Sequence, residues 1–451
     1  MDAHYNLLVI GGDAAGMSAA SQARRANPTM TIGVLEKTKD VSYAACGMPY
    51  YVAGLIDNPD RLLALDRIRF SSDRKIDILI ETEAISVDAT NRTVSAVAGG
   101  VTRMYSWDKL VIATGARAVI PPIPGTNNPG VFFLRTLADG IAIREFIDRE
   151  KPRSAVIIGG GFIGLEMAEA FRARSMETRL LERLESVAMT MSPVIRNLVR
   201  STLEANGVMV RTGVDIESIE RSKRGLAVKA GGETHWADCV LVSTGIAPNT
   251  EFLKNTLIRM NERGAVIVDE RSRTNIPGIF AAGDCATVKN LITGADVYMP
   301  LGTTANKQGR VAGLQAAGEE SEVFTGIVGS QMVKVFDLEI GKAGMNREES
   351  ERAGIPVVSA HLKTRSRAGY YPSSREIHVI LNARADTRTI IGGEVAGTDG
   401  AALRANVIAA AIHGRMRDRD LAYLDLGYAP PFSPVWDPVN AAAQMLMRMD
   451  G

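Results

Sequence analysis

NLLVIGGDAAG, Asn6 to Gly16, is the stretch whose reading decides the fold. Asn6 to Ile10 is short and apolar, as a strand buried on both faces of a parallel sheet must be. Gly11-Gly12-Asp13-Ala14-Ala15-Gly16 reads as the turn into a helix that runs to about Ala26. Met30 to Leu35 is a second apolar strand, and it ends at Glu36. A βαβ unit of this kind presents the free amides of a helix N-terminus to a pyrophosphate. Glu36 follows Gly16 by twenty residues, the spacing expected of a carboxylate gripping an adenosine ribose. Gly11, Gly16, Glu36 and the adjacent Lys37 are therefore candidate cofactor residues. Asp13 stands where the pattern has its middle glycine, and a side chain there is expected to crowd the phosphate. For this motif alone, an ordinary glycine-containing turn is the alternative reading.

A second copy is cleaner. Ser154 to Ile158 is a strand, Gly159-Gly160-Gly161-Phe162-Ile163-Gly164 the turn, and Leu165 to Arg174 the helix. Thr178 to Leu181 follows as a strand ending at Glu182, 18 residues beyond Gly164. The two motifs begin 148 residues apart, at Gly11 and Gly159, and together they imply two dinucleotide sites. Two further strands, Leu110 to Gly115 and Val240 to Gly245, each run into a Thr-Gly turn suited to a chain crossing between domains. Ala113, Thr114, Gly115 and Gly245 join the cofactor candidates on that ground. Gly278 to Cys285 delivers Asp284 directly after Gly283, where an acid can accept a hydrogen bond from a ribityl hydroxyl or cap a helix.

Between the two motifs lies VSYAACGMPYYVAG, Val41 to Gly54, with Cys46 ten residues beyond Glu36. A cysteine carried towards a bound flavin can exchange electrons with it, although a free cysteine is more often a small buried hydrophobe. Position 51 is Tyr51, and the other cysteines, Cys239 and Cys285, are remote in sequence, so no disulfide partner is close by. The chain has 451 residues, enough for two or three domains. Its 52 basic and 51 acidic side chains leave a net charge of +1, which argues against nucleic acid or an anionic membrane as partner. Apolar runs are broken well short of the ~20 residues a membrane span needs. The chain enters a strand without a basic-then-apolar leader, and three scattered cysteines suit a reducing compartment, so a cytoplasmic location is expected. The five histidines show no metal-ligand spacing. From about Thr325, alternating segments at Gln331 to Phe336, Val357 to Leu362 and Ile377 to Leu381 predict an antiparallel sheet, followed by a helix over Ala401 to His413. Tyr428 to Pro438 is too rich in proline for a regular helix or a central strand.

With these residues in hand, the chain resembles, almost end to end, the flavin-dependent pyridine nucleotide-disulfide reductases. It is most similar to their single-cysteine branch: coenzyme A disulfide reductase first, with NADH oxidase, NADH peroxidase and NAD(P)H persulfide reductase. SYAACGMPYY (Ser42 to Tyr51), DRK (Asp73 to Lys75), GYYP (Gly369 to Pro372) and YAPP (Tyr428 to Pro431) carry the likeness. The resemblance implies an α/β fold with two Rossmann-like domains, one for FAD and one for NADH or NADPH, and a C-terminal α+β dimerisation domain. By position these become 1–117 and 248–322 for FAD, 118–247 for NAD(P)H, and 323–451 for the interface of a homodimer with shared active sites. It further implies that Cys46 is the redox nucleophile, resting as a mixed disulfide with a small thiol such as coenzyme A. Gln22, Arg25, Ser42, Lys75 and Asn306 match substrate contacts, and Tyr370 and Tyr428 match tyrosines that reach the neighbouring active site.

The resemblance has departures. Ala45 replaces an asparagine and Trp436 a lysine of coenzyme A disulfide reductase, which predicts a groove of relaxed preference. Ala14 falls where NADH peroxidase has its flavin-proximal histidine. The expected activity is NAD(P)H-dependent reduction of coenzyme A disulfide or related small disulfides. A persulfide reductase or an NADH oxidase on the same frame is the alternative, and a non-catalytic redox-sensing flavoprotein the remote one. Attack at neutral pH calls for a depressed Cys46 pKa, expected from a helix N-terminus and the flavin edge.

Overall fold

The computed structural model describes residues 2–64 and 67–449. Among them, three large sheets of seven, five and five strands organise the chain. In the first, Ala3–Ile10 is the central strand, paired in parallel with Ile32–Leu35 on one side and Val101–Ile112 on the other. Leu7, Leu8 and Val9 are wholly buried, as the unbroken apolar run requires. Asp77–Leu79 extends one edge, the antiparallel strands Thr93–Ala98 and Thr82–Asp88 extend the other, and Ile279–Ala281 returns from far along the chain to pair with Val101–Ile112.

The second sheet repeats the pattern with Ser154–Ile158 central, flanked in parallel by Glu177–Glu182 and Cys239–Val242. An antiparallel meander, Ile216–Ser222, Gly225–Ala230 and Glu233–Ala237, covers one of its faces. The two Thr-Gly turns meet where Ala116–Ala118 pairs with Ile246–Pro248, so the chain crosses between the sheets at one two-stranded ribbon.

The helix Ala14–Ala26 packs against Gly302–Ala316, and two glycines set how closely. A Cβ on Gly309 would lie 2.2 Å from the Ala15 carbonyl oxygen, and one on Gly313 would lie 2.2 Å from that of Ala19. Only bare backbone allows the two helices this approach.

The third sheet is antiparallel and adds to the expected strands two that carry several glycines, Leu338–Gly344 and Ile390–Gly397. Helices Ala401–His413 and Pro438–Met447 pack on one face. The opposite face meets the second sheet's helices, where Val333, Ile340, Ile380 and Ala396 join a core with Val187, Met191 and Ile195. The proline-rich segment is irregular until Pro438, which opens the last helix at its first turn, the helical position where a missing N–H costs nothing. No helix among the described residues is long and apolar enough to cross a membrane.

Candidate active site

The two glycine turns have the same construction. A Cβ on Gly11 would sit 2.1 Å from the Ala113 carbonyl oxygen and one on Gly159 2.4 Å from that of Ser243, so each turn lies hard against the strand that follows it in the sheet. Gly16 crosses over Gly11, and Gly164 over Gly159, at 1.8 and 2.0 Å by the same measure. Each acid closes its turn. Glu36 accepts hydrogen bonds from the Gly12 amide (2.7 Å) and the Thr38 amide (2.8 Å), and Glu182 from the Gly160 amide (2.6 Å) and the Leu184 amide (2.7 Å). The carboxylates are thus fixed at the rim of each turn before any ligand arrives, and the space beside Gly161 is open.

A cavity of about 490 Å³ opens over the first turn, lined by Gly11, Glu36, Lys37, Ala113, Thr114 and Gly115 together with Asp13 and Arg135. Asn249 holds the Thr-Gly wall in place, its side-chain amide donating to the Thr114 carbonyl (3.0 Å) and its backbone N–H to the Gly115 carbonyl (3.0 Å). Asp284 caps no helix. Its carboxylate accepts from Arg135 at 2.9 Å, and the amide of Gly283 (φ +81°) donates to Gln308. Asp13 does turn its side chain into the cradle. Its Oδ1 is buried with no partner, and burial pushes the carboxyl up to about 6 against the pull of Arg135. Lined by bare backbone, cornered by a fixed carboxylate and served by one arginine, the cavity fits the pyrophosphate and ribose of a dinucleotide.

Cys46 sits in the short turn Ala45–Gly47 leading into Met48–Ala53. Gly47 is pressed onto Leu62, Met48 onto Gly140, and Arg144 donates to the Tyr51 carbonyl at 2.7 Å, so the segment is wedged between the Pro59–Leu62 turn and the second sheet's helix Leu137–Glu150. Cys46 is exposed, while Cys239 and Cys285 are buried, the latter bonded to the carbonyls of Ile112 and Ala282. The expected lowering of the thiol pKa is not built into the chain. The helix that follows is only six residues long, and although one side of the thiol opens to solvent, burial of the rest and then Glu166 push it up, with Arg135 acting against them. Glu166, two residues past Gly164, is itself raised to about 7 by burial and by Glu169.

The residues expected to meet substrate fall around Ala14–Ala26. Ser18 donates to Asn306 at 2.9 Å, Arg25 to Gln22 at 3.1 Å, and Arg24 grips the backbone carbonyls of Arg74 and Lys75. Ser42 (φ +53°) is tied to the Gly12 carbonyl through its amide. Arg310, not singled out from the sequence, also donates to Gln22 at 3.1 Å while paired with Glu322. It lies one turn beyond Asn306 on the same helix, and that spacing was the available signal. Arg135 had none, because it reaches Asp284 across 149 residues. Tyr370 and Tyr428 come together, hydroxyl to hydroxyl at 3.4 Å, on the outer surface of the third sheet's unit. Among the described residues, no cluster of His, Cys, Asp or Glu could hold a metal.

Two dinucleotide cradles with a lone accessible thiol between them define an oxidoreductase that moves electrons from a nicotinamide through a flavin to sulfur. The chain belongs to the pyridine nucleotide-disulphide oxidoreductase family, which residues 5–309 match, while residues 330–438 match that family's dimerisation domain. It is 37% identical over 441 residues to the NAD(P)H coenzyme A polysulfide/persulfide reductase of Pyrococcus horikoshii, with 98% of each chain covered. To the coenzyme A disulfide reductase of Staphylococcus haemolyticus it is 28% identical over 436 residues, with 96% of this chain and 97% of that one covered. A solved NAD-dependent persulfide reductase from A. fulgidus superposes with a TM-score of 0.95 at 38% identity, covering 98% of this chain and 83% of that one. The fold class, the family and its cofactors, FAD and NAD(P)H, stand as the sequence indicated.

Proposed function

We propose that this chain is an NADH-preferring reductase of small persulfides and disulfides, working through Cys46 in a homodimer in the reducing cytoplasm. The observation that carries the reading is that Cys46 is exposed while the other two cysteines are buried away from it. With no second thiol at hand, the sulfur that pairs with Cys46 must come from the substrate.

The first cradle is assigned to FAD and the second to NAD(P)H. When bound, these cofactors supply a hydride and then an electron pair at sulfur. The chain's residues do the rest. Gly11, Gly12 and Gly16 admit the phosphates, Glu36 holds the ribose, and Arg135 on Asp284 fixes a positive charge beside them. Cys46 as thiolate attacks a sulfur of R–S–S–R′, the S–S bond breaks, and RS⁻ leaves as a thiol on taking a proton. The mixed disulfide left on Cys46 accepts two electrons, which releases R′S⁻ and restores the thiolate. Overall, a disulfide, NADH and a proton give two thiols and NAD⁺; a persulfide gives one thiol and sulfide. Tyr370 and Tyr428 of the partner copy are assigned to proton delivery to the departing sulfur.

Persulfides are favoured over coenzyme A disulfide by the higher identity to persulfide reductases. Coenzyme A as the carrier is supported by the strip around Gln22, Arg25, Lys75 and Asn306, which Arg310, paired with Glu322, borders. Ala45 and Trp436 make the preference a modest one. Comparing kcat/KM for coenzyme A persulfide, coenzyme A disulfide, glutathione disulfide and oxygen is the test. Coenzyme A persulfide should lead by less than about a hundredfold, the worth of one charge-assisted hydrogen bond. Oxygen as the best acceptor, with the Cys46→Ser variant equally active, would turn the reading to an oxidase.

A further inference from the structure

The third sheet carries two fully buried charges that the reaction does not use. Lys342, on Leu338–Gly344, stands directly opposite Glu394, on Ile390–Gly397. Both side chains leave their own sheet and reach the loop that follows Glu182 in the second one. Lys342 Nζ donates to the Thr190 carbonyl at 2.6 Å and to both oxygens of Glu349 at 2.8 and 2.7 Å. Asn346 donates to the same Thr190 carbonyl at 3.2 Å. Both oxygens of Glu394 accept from the Ser192 amide, at 3.0 and 3.1 Å. Arg196 donates to the Met189 carbonyl at 3.0 Å and is itself paired with Glu348. Peptide groups at 189, 190 and 192 are thus all held by charged side chains of, or bridged to, the third sheet's unit.

The other end of this loop belongs to the second glycine turn. Leu184 donates its amide to Glu182, Val187 packs where a Cβ on Gly160 would fall, and the Ala188 amide donates to the Gly160 carbonyl at 2.9 Å. Ala188, between the two anchorages, is held at φ +52°, a left-handed conformation that costs an alanine energy and relaxes unless both sides hold it.

We propose that Lys342 and Glu394 are positioning residues for the nicotinamide coenzyme: from the C-terminal unit they set the 183–192 loop, and through it the aim of Glu182 and Arg183 at the adenosine end. The inference rests on assigning the second cradle to NAD(P)H. A loop fixed at both ends keeps Glu182 at the ribose and the exposed Arg183 away from it, which favours a 2′-hydroxyl over a 2′-phosphate. A loop released at its far end lets the arginine approach, and discrimination falls.

The test uses the FAD-loaded enzyme. Glu394→Ala removes the acceptors of the Ser192 amide, whereas Glu394→Gln keeps an oxygen there. We expect Glu394→Ala to raise KM for NADH about tenfold, the worth of one lost hydrogen bond to a charged group, with kcat within twofold. The NADH over NADPH preference should shrink, and Glu394→Gln should restore both. If Glu394→Ala is not recovered folded, Lys342→Met is measured in its place with the same expectation. A folded, FAD-replete variant with KM unchanged for both coenzymes overturns the inference, as does a fall in kcat with KM unmoved. Should neither coenzyme reduce the flavin of the unaltered protein, it is the NAD(P)H assignment that fails instead.

Discussion

Burial and then Glu166 hold the Cys46 thiol pKa up, with Arg135 acting against them, and the helix that follows it is only six residues long. Replacing Cys46 with serine should abolish persulfide and disulfide reduction while leaving bound FAD intact, because the FAD contacts assigned here come from Gly11, Gly16, Glu36 and Asp284. Absorbance at the flavin band together with a thiol-release assay checks both halves. Glu166 makes a second prediction. Its carboxyl is raised to about 7, so the folded chain holds the proton more tightly than the unfolded one. Stability is therefore lost as pH rises from the ordinary glutamate value through about 7. Glu166→Gln lacks that loss, and its advantage in thermal melts should be small near pH 5 and grow to about 2 kcal/mol by pH 8. Iodoacetamide should also label Cys46 faster at pH 7 in this variant, since a charge opposing the thiolate has gone. The cysteine was legible in the sequence; the acid beside it was not, because residues 120 positions apart are brought together only by helix packing.

Among the elements, the glycine turns were the most legible, since their spacing is dictated by a close approach that no other residue allows. The strands Leu338–Gly344 and Ile390–Gly397 were not, and for the same reason. Gly341 is needed where a Cβ would meet the Ala402 carbonyl at 2.4 Å, and Gly392 where one would meet that of Met345 at 2.0 Å, and such glycines erase the alternating pattern that marks a strand. The helix pair Ala14–Ala26 and Gly302–Ala316 is equally intolerant. Gly313→Ala should destabilise the protein by about 1–3 kcal/mol and speed FAD release, because the first helix carries the cradle at its N-terminus. A thermal melt and the rate of flavin loss report on the two effects. The second cradle's acid is fixed by two amides, and Arg179, three residues before it on the strand Glu177–Glu182, is occupied by Glu177 and the Trp236 carbonyl. We expect kcat/KM to favour NADH over NADPH by at least about tenfold in steady-state assays.

At the scale of the whole molecule, the outer surface of the third sheet's unit is unusually aromatic. Tyr370 is 77% exposed, Phe432 76% and Trp436 50%, although Arg404 ties down the tail that carries Phe432 and Trp436 by bonding the Asp437 carboxylate and the Phe432 carbonyl. A rigid, apolar, unburied surface on a unit that matches a dimerisation domain is expected to be covered by a second copy. Phe432→Glu should yield monomers by light scattering and lose substrate turnover, while NADH still reduces the bound flavin in a stopped-flow experiment. A monomer with full turnover would show that each active site is complete within one chain. The sequence could indicate this surface only through its prolines and aromatic residues; that Tyr370 meets Tyr428, 58 residues on, is a property of the folded tail.

The solitary thiol has a consequence for the enzyme at rest. An active site with two cysteines closes on itself and looks the same whatever it last met. On the cycle proposed above this one cannot, so between turnovers it is expected to carry a small thiol from its surroundings. Protein made in hosts whose dominant small thiols differ should carry correspondingly different masses on Cys46, and incubation with a new thiol pool should rewrite that mass. The molecule would then serve as a witness to the thiol chemistry of the cell it came from, legible by intact mass spectrometry without any assay of its activity.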